Sequence, residues 1–215
     1  MKQRKRKGRD PAKGGVSRRD FLTTGSLGAV GIAAAGKVSA SSADADASAE
    51  AHAGEKVPVR LEINGFEHRL LVEPRWSLAY VLRESLRITG TKLGCDRGEC
   101  GSCTVLIDDV PRYACMTLVL EVEGARITTL EGMLEGEALG DVQQAFLEND
   151  AFQCGYCTPG QIMAVEGLLR ATPDPSLDEI RVGVSGNLCR CGAYVNIFRA
   201  VHHAAELKRG RGGAS

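Results

Sequence analysis

The sequence predicts an α+β chain, a β-grasp sheet in the N-terminal domain followed by a domain of four helices. Three observations lead there. Asn64-Gly65 lies between two β-rich runs, Val57–Ile63 and Phe66–Val72, which is a strong two-residue hairpin signal. A glycine-studded loop holding Cys95, Cys100 and Cys103 then interrupts the strands. From Asp141 onward the apolar residues recur with a helical period and not an alternating one.

In order along the chain, Val57–Ile63 is apolar on alternate positions and pairs with Phe66–Val72 as the first hairpin. Ser77 is placed to cap a helix through Arg87, on which Leu78, Val81, Leu82, Ser85 and Leu86 share a face. The cysteine loop follows, Thr104–Ile107 resumes as a strand, and Asp108-Asp109 turns the chain. Cys115 falls just past a second short strand, and Ile127–Leu130 is the last strand. Trp76 and Tyr80 are expected to close the core of this first domain. In the second domain, Val142, Ala145 and Phe146 align on a helix from Asp141 to Asn149. Pro159 suits the first turn of a helix reaching about Arg170. Ser176 and Glu179 form a capping box for a helix over 177–184, and a final helix spans about 193–208.

The chain has eight cysteines in two quartets. Cys95, Cys100, Cys103 and Cys115 read C-x4-C-x2-C-x11-C; Cys154, Cys157, Cys189 and Cys191 read C-x2-C-x31-C-x-C. Four thiolates can hold a [2Fe–2S] cluster, and the first spacing is that of the plant-type ferredoxin loop. Two quartets therefore imply two clusters. Disulfides and zinc are the rival readings. Zinc sites usually pair two short hooks of the C-x2–4-C kind, and neither quartet does so. Gly94, Gly98, Gly101, Gly155 and Gly192 lie in or beside the cysteine motifs, where they let backbone N–H groups turn toward sulfur. The second set of cysteines sits at predicted helix starts, whose free N–H groups favour an anionic centre.

Residues 1–40 read as a twin-arginine signal peptide. A basic stretch ends in Ser17-Arg18-Arg19-Asp20-Phe21-Leu22, an uncharged Gly- and Ala-rich stretch runs to Gly36, and Val38-Ser39-Ala40 offers a cleavage site. The uncharged stretch is too short and too weakly apolar to span a bilayer. The expected location is periplasmic, reached in the folded state with the clusters already in place. Residues 41–55 read as a flexible leader, 56–133 as the ferredoxin-like [2Fe–2S] domain, 139–209 as the four-helix [2Fe–2S]-binding domain, and 210–215 as a tail.

The whole chain balances 27 basic against 27 acidic residues. Without residues 1–40 the balance is 17 against 25, a net charge of about −8. An acidic mature protein argues against a nucleic-acid partner and suits a basic protein partner. His52, His68, His202 and His203 are scattered and read as solvated or packed side chains. No nucleophile–base pair, carboxylate pair or phosphate loop is evident, so no catalytic residue is assigned.

GCDRGECGSC (94–103), QCGYCTPGQ (153–161) and GNLCRCGAY (186–194) resemble the small iron–sulfur subunit of the xanthine oxidase family of molybdenum hydroxylases. Together with the signal peptide, they look most like the subunit of a periplasmic aldehyde oxidoreductase. Thr23 stands where a lysine is common in the signal. The resemblance implies an electron-transfer role beside a large catalytic subunit carrying a molybdopterin-type molybdenum cofactor. It implies that Cys154, Cys157, Cys189 and Cys191 hold the cluster nearest the pterin, with Gln153 and Cys191 in contact with it. Cys95, Cys100, Cys103 and Cys115 would hold the outer cluster, with Gly101 supplying a backbone amide. An FAD-binding subunit, or a cytochrome or ferredoxin, would receive the electrons. The alternatives are a subunit of an isoquinoline-type hydroxylase of N-heterocycles, a free-standing two-cluster periplasmic ferredoxin, and a disulfide-stapled binding protein.

Overall fold

The computed structural model describes residues 54–134 and 136–212. The expected signal peptide, the leader up to residue 53 and the last three residues of the tail lie outside the described residues. Strands β1 (Val57–Ile63) and β2 (Phe66–Val72) form the antiparallel hairpin, closing at Ile63 opposite Phe66. Asn64 and Gly65 take φ of 52° and 81°, the left-handed pair that a two-residue turn of this twist requires. Val59, Leu61 and Ile63 alternate into the core.

The Ser77 hydroxyl caps α1 (Leu78–Tyr80) by accepting the N–H of Tyr80 at 3.2 Å. The helix differs from the expected regular one, continuing as a π-helical stretch, Val81–Ser85. There the Leu86 N–H reaches back five residues to the Val81 carbonyl, and Arg87 turns left-handed at φ 61°. Leu78, Val81 and Leu82 are still fully buried. Trp76 packs against the edge of the core, but Tyr80 does not close it. Their rings lie 4.8 Å apart, but Tyr80 is exposed and Trp76 only half-buried, with Lys56 over the Trp76 ring. A phenol and an indole at the edge can keep their polar atoms in water, which a core position denies them.

Strands β3 (Thr104–Ile107), β4 (Val110–Tyr113) and β5 (Arg126–Thr128) complete a sheet with the order β2-β1-β5-β3-β4. Among the described strands only the β1–β5 pair is parallel. Asp108 and Asp109, at φ 47° and 67°, make the β3–β4 turn. The last strand ends at Thr128, earlier than the spacing suggests, because the Asn64 carboxamide takes the Thr129 N–H at 2.9 Å in place of a ladder partner. The Asn64 amide also donates to the Thr129 hydroxyl, and Glu131 accepts from that hydroxyl and from the Gly90 N–H. This net ties the first turn, the approach to the cysteine loop and the exit from the sheet together.

Helices α2 (Asp141–Glu148), α3 (Thr158–Ala171), α4 (Leu177–Gly183) and α5 (Tyr194–Gly212) follow. The Ser176–Glu179 capping box is formed in both directions. Helix α5 runs on through residues assigned to the tail. Phe146, Ile162, Val165, Leu169, Ile180, Ile197 and Val201 make one core among these helices; a second core lies between the sheet and α1.

Helix α3 also packs on the outer face of β3, which is why Thr104, Val105 and Leu106 are all buried despite pointing to alternate faces. Gly160, Ala164 and Gly167 share the helix face that permits this approach. A Cβ on Gly167 would sit 2.1 Å from Pro111 Cγ. Charges cross the same boundary. Arg126 pairs with Asp109, Asp109 with Arg170, Arg170 with the buried Glu166, and Glu166 with Lys208.

Candidate functional site

The first cysteine loop leaves the π-helical stretch and returns to β3, and it owes its path to three left-handed residues. Asp96, Gly98 and Gly101 take φ of 53°, 79° and 68°. The loop wraps tightly enough that a Cβ at Gly94 would lie 3.0 Å from the Cys100 sulfur. Backbone N–H groups of Arg97, Glu99 and Cys100 point at Cys95, and the Glu99 N–H reaches its sulfur at 3.4 Å. These donors, Arg97 first, bring the Cys95 pKa down to about 7. Cys103 heads β3 and is nearly inaccessible; burial pushes its pKa up to about 12.

The four thiols associate in pairs, Cys95 with Cys100 and Cys103 with Cys115, and Cys103 also senses the charge of Cys100. Tyr113 stands beside all four. Burial first, then the charges of Cys103, Cys100, Cys115 and Cys95, raise its pKa and keep the phenol protonated.

In the second quartet Cys157 is the N-cap residue of α3, and Cys189 and Cys191 precede α5. Gly155 and Gly192, with φ of 80° and 78°, bend the two segments toward each other. Pairing recurs here, Cys154 with Cys191 and Cys157 with Cys189. Burial raises the Cys157 pKa to about 12. The Tyr156 N–H, and after it the Cys191 thiol, lowers that of Cys154. At Cys189 burial is overcome by the N–H groups of Ala193, Gly192 and Cys191 together with Cys157, and the pKa falls. The Cys189 N–H donates to Tyr194 Oη at 2.8 Å. Cys154, Cys157 and Cys189 line a cleft of about 350 Å³ that Cys100 also borders.

All eight thiols are unbridged. Among the described residues no three His, Cys, Asp or Glu side chains converge so as to hold one metal ion. A two-iron cluster needs two thiolates on each iron, and two pairs per quartet supply them. The pairs, the N–H groups aimed at sulfur and the cleft against the second quartet fit that group.

The two quartets are joined by a seam of hydrogen bonds. The Leu188 N–H donates to the Cys100 carbonyl at 2.9 Å. The buried Asn187 side chain donates to the Gly101 carbonyl at 2.8 Å and to Thr104 Oγ1 at 3.1 Å. Gln161, fully buried in α3, donates to the Asn187 carbonyl at 2.7 Å. Tyr113 Oη donates to the Gly186 carbonyl at 2.9 Å, and Tyr156 Oη to the Leu93 carbonyl at 2.7 Å. Each cysteine segment is thus held by residues flanking the other.

Each cysteine expected as a ligand therefore lies beside a member of its own quartet. Gln153, Cys154 and Cys191 are exposed, as are the apolar Phe152, Tyr156, Leu188 and Val195 in the same two segments. Gly101 is buried, and its carbonyl is engaged by Asn187 and by the Thr104 N–H and hydroxyl. His203 contacts Asn149 and Glu148 on the helical side, away from either quartet. Asn187, Tyr113, Gly160 and Gly186 were not legible as site residues. Gly160, Gly186 and Asn187 lie inside the motifs 153–161 and 186–194, which marked those segments but not these roles.

Two family models match. A 2Fe-2S iron-sulfur cluster binding domain covers residues 61–157, and a [2Fe-2S] binding domain covers residues 129–202. The iron–sulfur-binding subunit of an Escherichia coli (strain K12) aldehyde oxidoreductase is 44% identical over 172 residues, covering 73% of this chain and 75% of that protein. A chain of the solved quinoline 2-oxidoreductase from Pseudomonas putida 86 superposes with a TM-score of 0.70 at 44% identity, over 73% of this chain and 98% of that one. The aldehyde oxidoreductase from Desulfovibrio desulfuricans ATCC 27774 superposes with a TM-score of 0.69 at 40% identity. There the match spans 71% of this chain but only 17% of the other.

Proposed function

Since the chain belongs to the 2Fe-2S small subunits of the xanthine oxidase, or molybdenum hydroxylase, family, we propose that it is the electron-transfer subunit of a periplasmic aldehyde oxidoreductase. A large subunit would bind the molybdopterin-type cofactor and carry out the chemistry. A flavin subunit, or a cytochrome or ferredoxin, would take the electrons away. Residues 56–133 would form the ferredoxin-like β-grasp domain and residues 139–209 the four-helix domain. When bound, [2Fe–2S] clusters supply one-electron redox chemistry.

The residues of this chain divide that work. Cys95 and Cys100 would hold one iron of the outer centre, Cys103 and Cys115 the other. Cys154 with Cys191, and Cys157 with Cys189, would do the same at the inner one. Gly98 and Gly101 let the outer loop close, and N–H groups from Arg97, Glu99 and Ala193 offset the thiolate charge. The exposed Gln153, Cys154 and Cys191, with the apolar Phe152, Tyr156, Leu188 and Val195 of the same two segments, are the natural docking face for the large subunit. One observation carries the reading above all. The Leu188 N–H to Cys100 carbonyl bond places the second quartet one residue away from a contact with the first.

The test is purification of the native protein with its companions. The expected result is a complex with a large molybdenum-containing chain, in which this subunit carries four irons and four labile sulfides. Reduction should give two distinguishable paramagnetic signals. A free monomer, fully metallated and without companions, would make it an independent ferredoxin instead. A second reading, hydroxylation of an N-heterocycle, is supported by the 44% identity to the quinoline enzyme, equal to that of the aldehyde oxidoreductase subunit. Aldehydes and quinoline-type rings supplied to the purified complex separate the two.

Export is proposed on the twin arginines. Arg18→Lys combined with Arg19→Lys should leave a folded, cluster-bearing precursor in the cytoplasm, because a receptor reads the pair and does not respond to bulk charge. Fractionation followed by immunoblotting checks this. Periplasmic accumulation of the double variant at the normal level would refute the assignment. Among the described residues no helix is long and apolar enough to cross a membrane.

A further inference from the structure

The seam between the two quartets is more elaborate than covering a core requires. Residues 186–188 carry it, and each uses a different group. Gly186 offers its carbonyl to Tyr113, Asn187 offers its side chain to Gly101 and Thr104, and Leu188 offers its N–H to Cys100. The partners on the far side are Cys100 and Gly101 inside the first cysteine loop, and Tyr113, two residues before Cys115. The next residue on the near side is Cys189.

Asn187 is the centre of this arrangement. Its side chain is buried, and both of its hydrogen bonds there are donated by Nδ2. The bonding order is consistent throughout. The Thr104 hydroxyl donates to the Gly101 carbonyl and accepts from Asn187, so one carbonyl receives both groups. From behind, Gln161 holds the Asn187 carbonyl. A buried amide fixed at both ends is costly to displace, since each orphaned group would lose its partner without gaining water. There is also no slack. A Cβ at Gly101 would meet the Gly186 carbonyl at 2.5 Å, and one at Gly186 would meet Tyr113 Oη at 2.1 Å.

We infer that residues 186–188 form a spacer that fixes the distance and orientation between the two cysteine quartets, and that Asn187 is the positioning residue at its centre. This rests on the reading of the quartets as two iron–sulfur centres. Asn187 touches none of the eight thiols in the observed hydrogen bonding; it acts through the Gly101 peptide of one loop and through its own chain neighbours in the other. Its substitution should leave both centres assembled while altering how they sense each other.

The experiment is low-temperature paramagnetic resonance on the fully reduced, cluster-loaded complex, where magnetic interaction between the centres splits their signals. Asn187→Ala removes the central clamp, and Asn187→Asp keeps the shape while setting an acceptor against the Gly101 carbonyl. Both should keep two signals and lose the splitting. Gly186→Ala drives a wedge into the same seam from outside the cysteine loops. Tyr113→Phe in the same chain removes the colliding oxygen, and the next atom, Tyr113 Cζ, is at an ordinary 3.4 Å. The splitting should therefore be lost in Gly186→Ala and at least partly recovered in the double variant, which relieves the clash but lacks the Tyr113 bond to the Gly186 carbonyl.

Unchanged splitting in the Asn187 variants overturns the inference while leaving the two-centre reading intact. Should the Asn187 variants fail to assemble, the Gly186 pair decides alone. Unchanged splitting in Gly186→Ala, or no recovery in the double variant, overturns the spacer. An unmodified protein with two signals but no splitting overturns it as well, and one with no signal at all overturns the iron–sulfur reading beneath it.

Discussion

Replacing Cys103 with serine is expected to abolish one of the two paramagnetic centres and leave the other unchanged. Cys103 is the least accessible of the eight thiols, at 2% exposure, and heads β3 where it packs with the sheet core. A serine there is shorter, binds iron less readily than a thiolate, and buries a hydroxyl in a place built for sulfur. Cys115 then loses the thiol it pairs with, while Cys154, Cys157, Cys189 and Cys191 keep theirs. Iron content should fall by half, and the signal of the outer centre should disappear. The mirror experiment, Cys157→Ser, should remove the other signal. If both signals vanish from a folded Cys103→Ser protein, the two quartets are not independent sites; if neither does, Cys103 is not a ligand.

The second large effect is expected at a residue with no chemistry. Gly160→Ala places a methyl group 2.3 Å from the Gly101 carbonyl oxygen and about 3 Å from the Ser102 backbone. All the atoms it meets belong to main chain in the first cysteine loop, so no side chain can rotate away. Either α3 lifts from β3 or the loop deforms. Overpacking of this kind costs about 3 kcal/mol, which for a protein of this size lowers the melting temperature by roughly 6–12 °C. Gly210→Ala is the control. A Cβ there meets nothing within 4 Å, and in a helix it should be neutral or stabilising by up to about 1 kcal/mol. Calorimetry on both variants settles the matter. A Gly160→Ala melting temperature within a degree of the parent would mean that the helix and the loop are not held at this contact.

These two predictions mark the boundary of what could be read in advance. Cys103 is visible in the spacing alone, because a cluster loop must return its thiols within a few residues and the glycines that allow it lie between them. Gly160 is not. Its neighbours are Gly101 and Ser102, far away in sequence, and nothing in TPGQIMAVEGL says that this face of the helix meets a strand. Similarly, β3 reads as an ordinary short strand, whereas the structure buries both of its faces. The π-helical stretch at Val81–Ser85 and the early end of β5 at Thr128 have the same origin. Leu86 and Thr129 find hydrogen-bond partners that helical or strand periodicity does not foresee.

What the sequence by itself determined is therefore local: the Asn64-Gly65 turn, the Ser77 and Ser176 caps, and the close cysteine spacings of 95–103, 154–157 and 189–191. Each depends on the chemistry of residues a few positions apart, where sterics and hydrogen bonding act without help from the rest of the chain. The tertiary structure alone decided that Gly101 is held by its carbonyl in the seam, and that Asn187, Tyr113 and Gly186 hold one quartet against the other. The Tyr113–Gly186 and Asn187–Gly101 contacts join residues 73 and 86 positions apart. They form only once sheet and helices have packed, when a buried donor must take whichever acceptor the fold has brought beside it.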